Sequence, residues 1–420
     1  MKAKYYDPLF YISSEEMPFS INVEINLHDE VKPDVLEKAA ATAIGRFPYF
    51  SVKVIRDGEE YLCAPNDKPF VVYEGPEVIP LGSEELNGHI AAIMYKGKKL
   101  NFFVTHVITD GSGFVPFIRS VLYYYCTEAY NEELDTTDTY LADSPFFDDE
   151  LCNPYPEEKM KSARPLFVKK PGEFLRLCEG PIVTDSTPKE YRVRVREDQM
   201  MKYSFDHDGS PCALISSLMT TAIWRLHPEE KRSIVCAVSF NLRPGLGNRH
   251  NYRMLCSSIL LEYPNSMRGW PALKLCTCSR GMVTLQSQAE NVLAYAEERR
   301  RRFDAFSAIP TLEERMAIVG KRSLEDSVAN TFSISYVGKK SFGEMEKHID
   351  SMYISTDGSA HKTLFIEVAS MGGYFNLSFI QGFSTDAYYR EFLGTLDRRG
   401  ITYEEDTPVD FIAPSLILPK

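Results

Sequence analysis

The chain has 420 residues, 44% of them apolar and 12% aromatic, with 47 Lys and Arg against 59 Asp and Glu. That apolar content can bury enough surface to offset ordering entropy, which excludes a disordered chain. The net charge of −12 opposes a general nucleic-acid binder, because the phosphate backbone would be repelled at long range. A local basic pocket for a small anion remains compatible with it.

The length predicts two or three domains. No stretch reaches the roughly 18 apolar residues of a membrane span. The best uncharged run, Gly209 to Trp224, is rich in Ser and Thr. The N-terminal residues lack the apolar core of a signal peptide. Nine cysteines without a repeated spacing read as reduced thiols of a cytoplasmic protein. Cys276 and Cys278 form the only close pair, and no His or further Cys lies near enough to complete a zinc site.

In chain order, Ser20 to Leu27 alternates Ile21, Val23, Ile25 and Leu27, the period of a half-buried strand. Pro33 opens a helix through Ile44. Tyr49 to Arg56 and Glu60 to Ala64 read as strands joined at Asp57-Gly58. Strands follow at Ile90 to Tyr95 and Lys99 to Val107, then a helix over about Ser112 to Tyr130. Between Asn131 and Glu150 there are eight acidic residues and no basic one, and prolines recur from Pro154 to Pro188. That stretch reads as a long surface crossover between domains.

Beyond it come a strand at Tyr191 to Val195, a helix at Ala213 to Trp224, and strands at Ser233 to Phe240 and Met254 to Glu262. Residues 270 to 303 show the longest helical pattern. Strands at Thr331 to Val337, Leu364 to Ser370 and Tyr374 to Ile380 precede a last helix, Ser384 to Leu396, capped by Ser384 or Thr385. The fold class is α/β, with an α+β sandwich in each half, divided into residues 1–185 and 186–420. Two segments echo each other. Asn101 to His106 leads through Thr109-Asp110 into a helix, as Asn376 to Gln381 leads through Thr385-Asp386 into another. If the echo is real, the halves are siblings and only the first keeps its histidine.

His106-Val-Ile-Thr-Asp110-Gly111 is the stretch that carries chemistry. A histidine at a strand mouth can act as a general base, since its unperturbed pKa is about 6.5. Gly111 would permit the tight turn that aims the imidazole outward. The competing reading is a structural histidine with Asp110 capping the helix. Arg299 to Arg302 could meet phosphates, or could be a solvated helix C-terminus favoured by the macrodipole. Asp206-His207-Asp208-Gly209 reads as a turn rather than a metal loop, and Thr356-Asp357-Gly358 with His361 as a hairpin turn. There is no GxGxxG, P-loop or GxSxG, so redox-nucleotide, phosphoryl-transfer and serine-hydrolase chemistry lack support.

The His106 motif resembles the His-His-x-x-x-Asp-Gly signature of the coenzyme A-dependent acyltransferase superfamily, with Thr105 in place of the first His. That superfamily includes chloramphenicol acetyltransferase, condensation domains and alcohol acetyltransferases. Ala41 to Val54, Val238 to Pro244 and Ser333 to Gly338 are similar to further segments of it. The resemblance implies two related chloramphenicol acetyltransferase-like domains with an active-site tunnel at their interface. His106 would be the base, and Asp110 would pair with Arg243. It implies acyl-CoA as co-substrate with no permanently bound cofactor, and a small alcohol or amine as acceptor. A carrier-protein thioester donor and a non-catalytic binding relative are the alternatives. The plant branch's Asp-Phe-Gly-Trp-Gly is absent, Lys340 to Gly343 being a remnant at best. The oxyanion donor is therefore open, with Ser335 and Asn241 as candidates.

Overall fold

A computed structural model describes residues 8–11, 13, 18–155, 157–161, 163–164, 172–177, 185–325, 330–336, 338–356 and 363–419. Residues 1–7, Pro156, Pro165, Pro171, Cys178, Pro181, Val337 and the 357–361 turn lie outside them. The first half runs β1 (Ser20–Leu27), α1 (Pro33–Ile44), β2 (Val52–Asp57), β3 (Glu60–Pro65), β4 (Val72–Glu74), β5 (Ala91–Lys96), β6 (Lys99–Thr105) and α2 (Gly111–Tyr130). Then come α3 (Glu157–Lys161), β7 (Asp185–Arg196), α4 (Glu197–Asp206), α5 (Pro211–Leu226), β8 (Ile234–Asn241), α6 (Arg243–Leu246) and β9 (Cys256–Tyr263). The chain continues through α7 (Ala272–Gln286), α8 (Ala289–Ser307), α9 (Leu312–Glu325), β10 (Phe332–Tyr336) and β11 (Ile349–Thr356). It closes with β12 (Leu364–Met371), β13 (Tyr374–Phe383), α10 (Ala387–Asp397) and β14 (Tyr403–Glu405).

Two mixed sheets organise the molecule, ordered β11-β1-β6-β5-β4 and β14-β7-β13-β12-β10-β8-β9. Helices α1 and α2 cover the first with Leu36, Ala40, Phe114, Phe117 and Val121, against Val23, Ile93 and Phe102. Helices α5 and α10 cover the second with Leu214, Leu218, Phe392 and Leu396, against Val193, Ile366 and Phe379. The echo extends to the whole topology. The run β1-β6-β5-β4 matches β7-β13-β12-β10 in order and direction: antiparallel, antiparallel, then parallel. The two halves are built on the same plan.

The second half also lends chain to the first. β11, from late in the sequence, completes the first sheet by pairing antiparallel with β1. Leu416 of the C-terminal tail bridges to Leu81. Sequence reading missed β11 because both of its faces are buried, which erases the polar–apolar alternation. It also missed β4, α4 and α9, and merged α7 with α8 into one helix. Those two are separated at Gln288, whose backbone is extended, with Asn291 donating to the carbonyl of Leu285 in the last turn of α7. The last helix begins later than expected, at Ala387, with Asp386 at the cap position; Thr385 accepts from the Ala387 N–H.

The acidic crossover is less solvated than its composition suggests. Glu150 is wholly buried, taking two hydrogen bonds at 2.7 and 2.8 Å from Arg46 and one from the Tyr49 hydroxyl. Its neighbour Asp149 receives the Nδ1 and backbone N–H of His250. Glu150 holds the Arg46 guanidinium above its already high pKa against the opposing pull of burial. Removing one member of such a pair strands a buried charge. Arg46→Met should therefore cost about 3–5 kcal/mol of unfolding free energy. Urea unfolding of the two proteins checks it; a difference under 1 kcal/mol would show the pair to be dispensable.

Candidate active site

β6 ends at Thr105 and α2 begins at Gly111, so residues 106–110 form the turn between them. The His106 N–H donates to the Phe19 carbonyl at 2.9 Å, and its ring stacks on Phe19 with centroids 4.9 Å apart. Nδ1 lies 2.8 Å from the Thr109 carbonyl. A carbonyl can only accept, so Nδ1 carries the hydrogen, and in the neutral ring Nε2 holds the lone pair. Thr105, where the resemblance expects a first His, is fully buried and donates to the Phe19 carbonyl. It holds the turn.

Asp110 fills both of the roles open to it in the sequence. As N-cap of α2, its Oδ1 accepts from Gly113 N–H at 3.0 Å. It also pairs with Arg243 through two contacts, at 2.8 and 2.9 Å, and accepts from the Leu255 N–H. Arg243 spends its remaining N–H groups on Asn241 Oδ1 and on the carbonyls of Asn251 and Arg253. Every N–H of that guanidinium is committed. Arg243 leads among the influences that hold the Asp110 carboxyl below the usual carboxylate range, overcoming a larger opposing effect of burial.

Gly111 is the first residue of α2, and Gly113 is under steric demand. A Cβ at Gly113 would lie 2.1 Å from the Tyr252 carbonyl oxygen, the same atom that accepts from the Thr109 hydroxyl. The 252–255 segment of the second half is thus pressed directly onto the start of α2.

A cavity of about 520 Å³ opens beside this turn, lined by His106, Gly111 and Ser112 from the first half. The second half contributes Asn241, Cys256 and Ser335 among others. The structure therefore gathers His106, Asp110, Ser335 and Asn241 at one cavity, with Arg243 directly behind Asp110. Asn241 has its Oδ1 committed to Arg243, so the donor Nδ2 is the atom left for other partners. Burial pushes the Cys256 thiol up to about 12, which makes it a poor nucleophile.

The basic run lies within α8 rather than at its end. Arg300, Arg301 and Arg302 are tied to Glu297, Glu298 and Asp304, while Arg299 lines the cavity and donates to the Cys256 carbonyl. Phe342 from the Lys340 to Gly343 segment is buried in the first core, and Arg119 donates to the Ser341 carbonyl. Asp206 and Asp208 pair with Lys202 and Arg280 in an ordinary turn. Among the described residues no cluster of His, Cys, Asp and Glu could hold a metal ion, and no helix is long and apolar enough to cross a membrane. Glu367 was missed, although a lone charge inside the apolar strand Leu364–Met371 was a readable signal.

No protein-family model and no curated protein matches the chain. Solved structures do. The TRI101 protein of F. graminearum, complexed with coenzyme A and deoxynivalenol, aligns over 95% of this chain and 98% of its own at TM-score 0.60 and 10% identity. Polyketide synthase associated protein 5 of Mycobacterium tuberculosis aligns over 91% and 94%, at TM-score 0.58 and 12% identity. TRI3, a trichothecene 15-O-acetyltransferase of Fusarium sporotrichioides, aligns over 91% and 90%, at TM-score 0.54 and 11% identity. The chain shares its fold with these proteins. In the echo between the two halves, Gln381 stands where the first half carries His106. It is fully buried, donating to the Phe383 and Thr385 carbonyls much as His106 does to Thr109.

Because the folded Asp110 pKa is depressed, its stabilisation is complete above the unfolded value of about 3.9 and is lost as pH falls through the folded one. Asp110→Asn should destabilise the protein by about 3–5 kcal/mol at pH 7, by stranding Arg243. It should also flatten the acid limb below roughly pH 4. Urea titrations from pH 3 to 7 measure both, and parallel curves for the two proteins would disprove the linkage.

Proposed function

We propose that the protein transfers an acyl group from acyl-CoA to a small alcohol or amine, with His106 as general base. The observation that carries this reading is the locked histidine: Nδ1–H is held by the Thr109 carbonyl and the ring borders the cavity. Nε2 takes the proton of the acceptor as its oxygen or nitrogen attacks the thioester carbonyl carbon. The resulting oxyanion collapses, the C–S bond breaks, and the thiolate leaves with the proton carried on His106. No covalent enzyme intermediate is needed. Residues 1–185 and 186–420 are the two halves that close on the substrates.

The oxyanion needs a donor, and Asn241 Nδ2 suits it better than Ser335. The oxyanion is a developing negative charge, and the sheet register sets Ser335 beside Glu367. Asn241 instead adjoins the Arg243 guanidinium, which favours one. Arg299 also lines the cavity and is the group for a coenzyme A phosphate.

His106→Ala should cut acetyl-CoA turnover by at least 100-fold with the melting curve unchanged. Thiol release across an alcohol and amine panel measures it, and full activity in the variant would remove His106 from the mechanism. Asn241→Asp keeps the acceptor facing Arg243 but removes the amide donor. It should lower kcat by about 100- to 1000-fold with little change in KM. A larger loss in Ser335→Ala than in Asn241→Asp would move the oxyanion assignment to Ser335.

A further inference from the structure

Away from the histidine turn, the two halves line the cavity with different chemistry. Ile334, Val238 and Ile259 point from β10, β8 and β9 into the core of the second half. Side chains alternate along a strand, so the residue next to each of them faces the other way. Those neighbours are Ser335, Ser239 and Ser258, and all three line the cavity. Ile334 pairs with Val238, so the pairing carried one residue further sets Ser335 beside Ser239, which pairs with Ser258. The hydroxyls therefore form a row across three strands spaced about 4.8 Å apart. The row runs from half-buried Ser335 and Ser239 to exposed Ser258.

Among the described residues none of these three hydroxyls has a hydrogen-bond partner. Each can donate and accept. The first half supplies Phe19, Ile21 and Ile354 instead, an apolar lining. His106 stacks on Phe19, so that lining continues into the histidine ring. A plain aliphatic alcohol laid over the row would strip water from the hydroxyls and return no hydrogen bond. A ring bearing several hydroxyls offers both surfaces at once, a polar edge that donates and accepts and an apolar face of C–H groups. The spacing of the row is close to the width of such a ring.

We propose that the acceptor is a neutral polyhydroxylated ring, a sugar or a cyclitol, whose polar edge lies along Ser335, Ser239 and Ser258. One ring hydroxyl meets His106 and becomes the attacking oxygen, while the others bond along the row. This deepens the acyltransferase reading and rests on it for the transfer step; binding of the polyol without an acyl donor does not.

Two measurements separate the claims. The first is calorimetric binding of methyl β-glucoside, myo-inositol and cyclohexanol with no acyl donor present. Wild type should bind at least one of the polyols about tenfold or more tightly than cyclohexanol. Ser239→Ala and Ser258→Ala should each weaken that polyol about 2- to 10-fold, the usual net strength of one neutral hydrogen bond, and leave cyclohexanol unchanged. The second is acetyl-CoA turnover, where the same variants should raise KM for the polyol and keep kcat for cyclohexanol. Polyol preference without turnover would sink the acyltransferase reading and leave the polyol site standing. Turnover of cyclohexanol with no preference for either polyol would overturn this inference and leave the acyltransferase reading intact. A raised KM for acetyl-CoA with the polyol KM unchanged would also overturn it, assigning the row to the coenzyme arm. The wild-type comparison decides the matter even where a variant folds poorly.

Discussion

A guanidinium whose every N–H is spoken for can adopt one orientation only, and Arg243 is in that position. Two of its donors reach across to Asp110 in the first half, and the rest hold Asn241 and the 251–253 segment of its own half. The start of α2, the end of β8 and the cavity between them are therefore fixed by one pair of side chains. His106 inherits its place from this, because Thr109 both receives its Nδ1–H and is tied to Tyr252. A buried ion pair of this kind need not add net stability, since desolvation takes back much of the Coulomb gain. Its value here is geometric: it sets the histidine turn against the second sheet.

The support behind that pair is continuous. Asn251 passes its carbonyl to Arg243 and its amide to the crossover carbonyls of Asp149 and Cys152. The adjacent Glu150 is gripped by Arg46 at the end of the first helix. A second cross-half pair, Glu24 with Arg192, repeats the same polarity of acid in the first half and arginine in the second. Glu24 also meets Lys99, and Arg192 also meets Glu190, so neither charge is left unbalanced. The halves thus meet through polar groups whose geometry is demanding, and a slight rotation between them would break several charged bonds together.

Much of this was legible in the residues. The strand–turn–helix around His106 and the sibling halves follow from local patterns, and the Asp110–Arg243 pairing is what the family resemblance implied. Those patterns survive because each element buries one face. What escaped notice depends on contacts distant in sequence. β11 is buried on both faces and so shows no period, and the gap between α7 and α8 needs the side chain of Asn291. Arg299 could not be told from its three basic neighbours until their acid partners were placed. Gly113 matters because of a carbonyl from residue 252, which nothing local announces.

The lent strand has a consequence for how the protein comes into being. β1 is made long before its partner Ile349–Thr356. At typical elongation speeds the gap is roughly 15 to 65 s, during which β1 presents an open edge. Thr356 and Ile354 of that strand also line the cavity. The pocket is therefore not assembled in stages. It exists only once β11 has left the ribosome, and a nascent first half would need shielding from other strands until then.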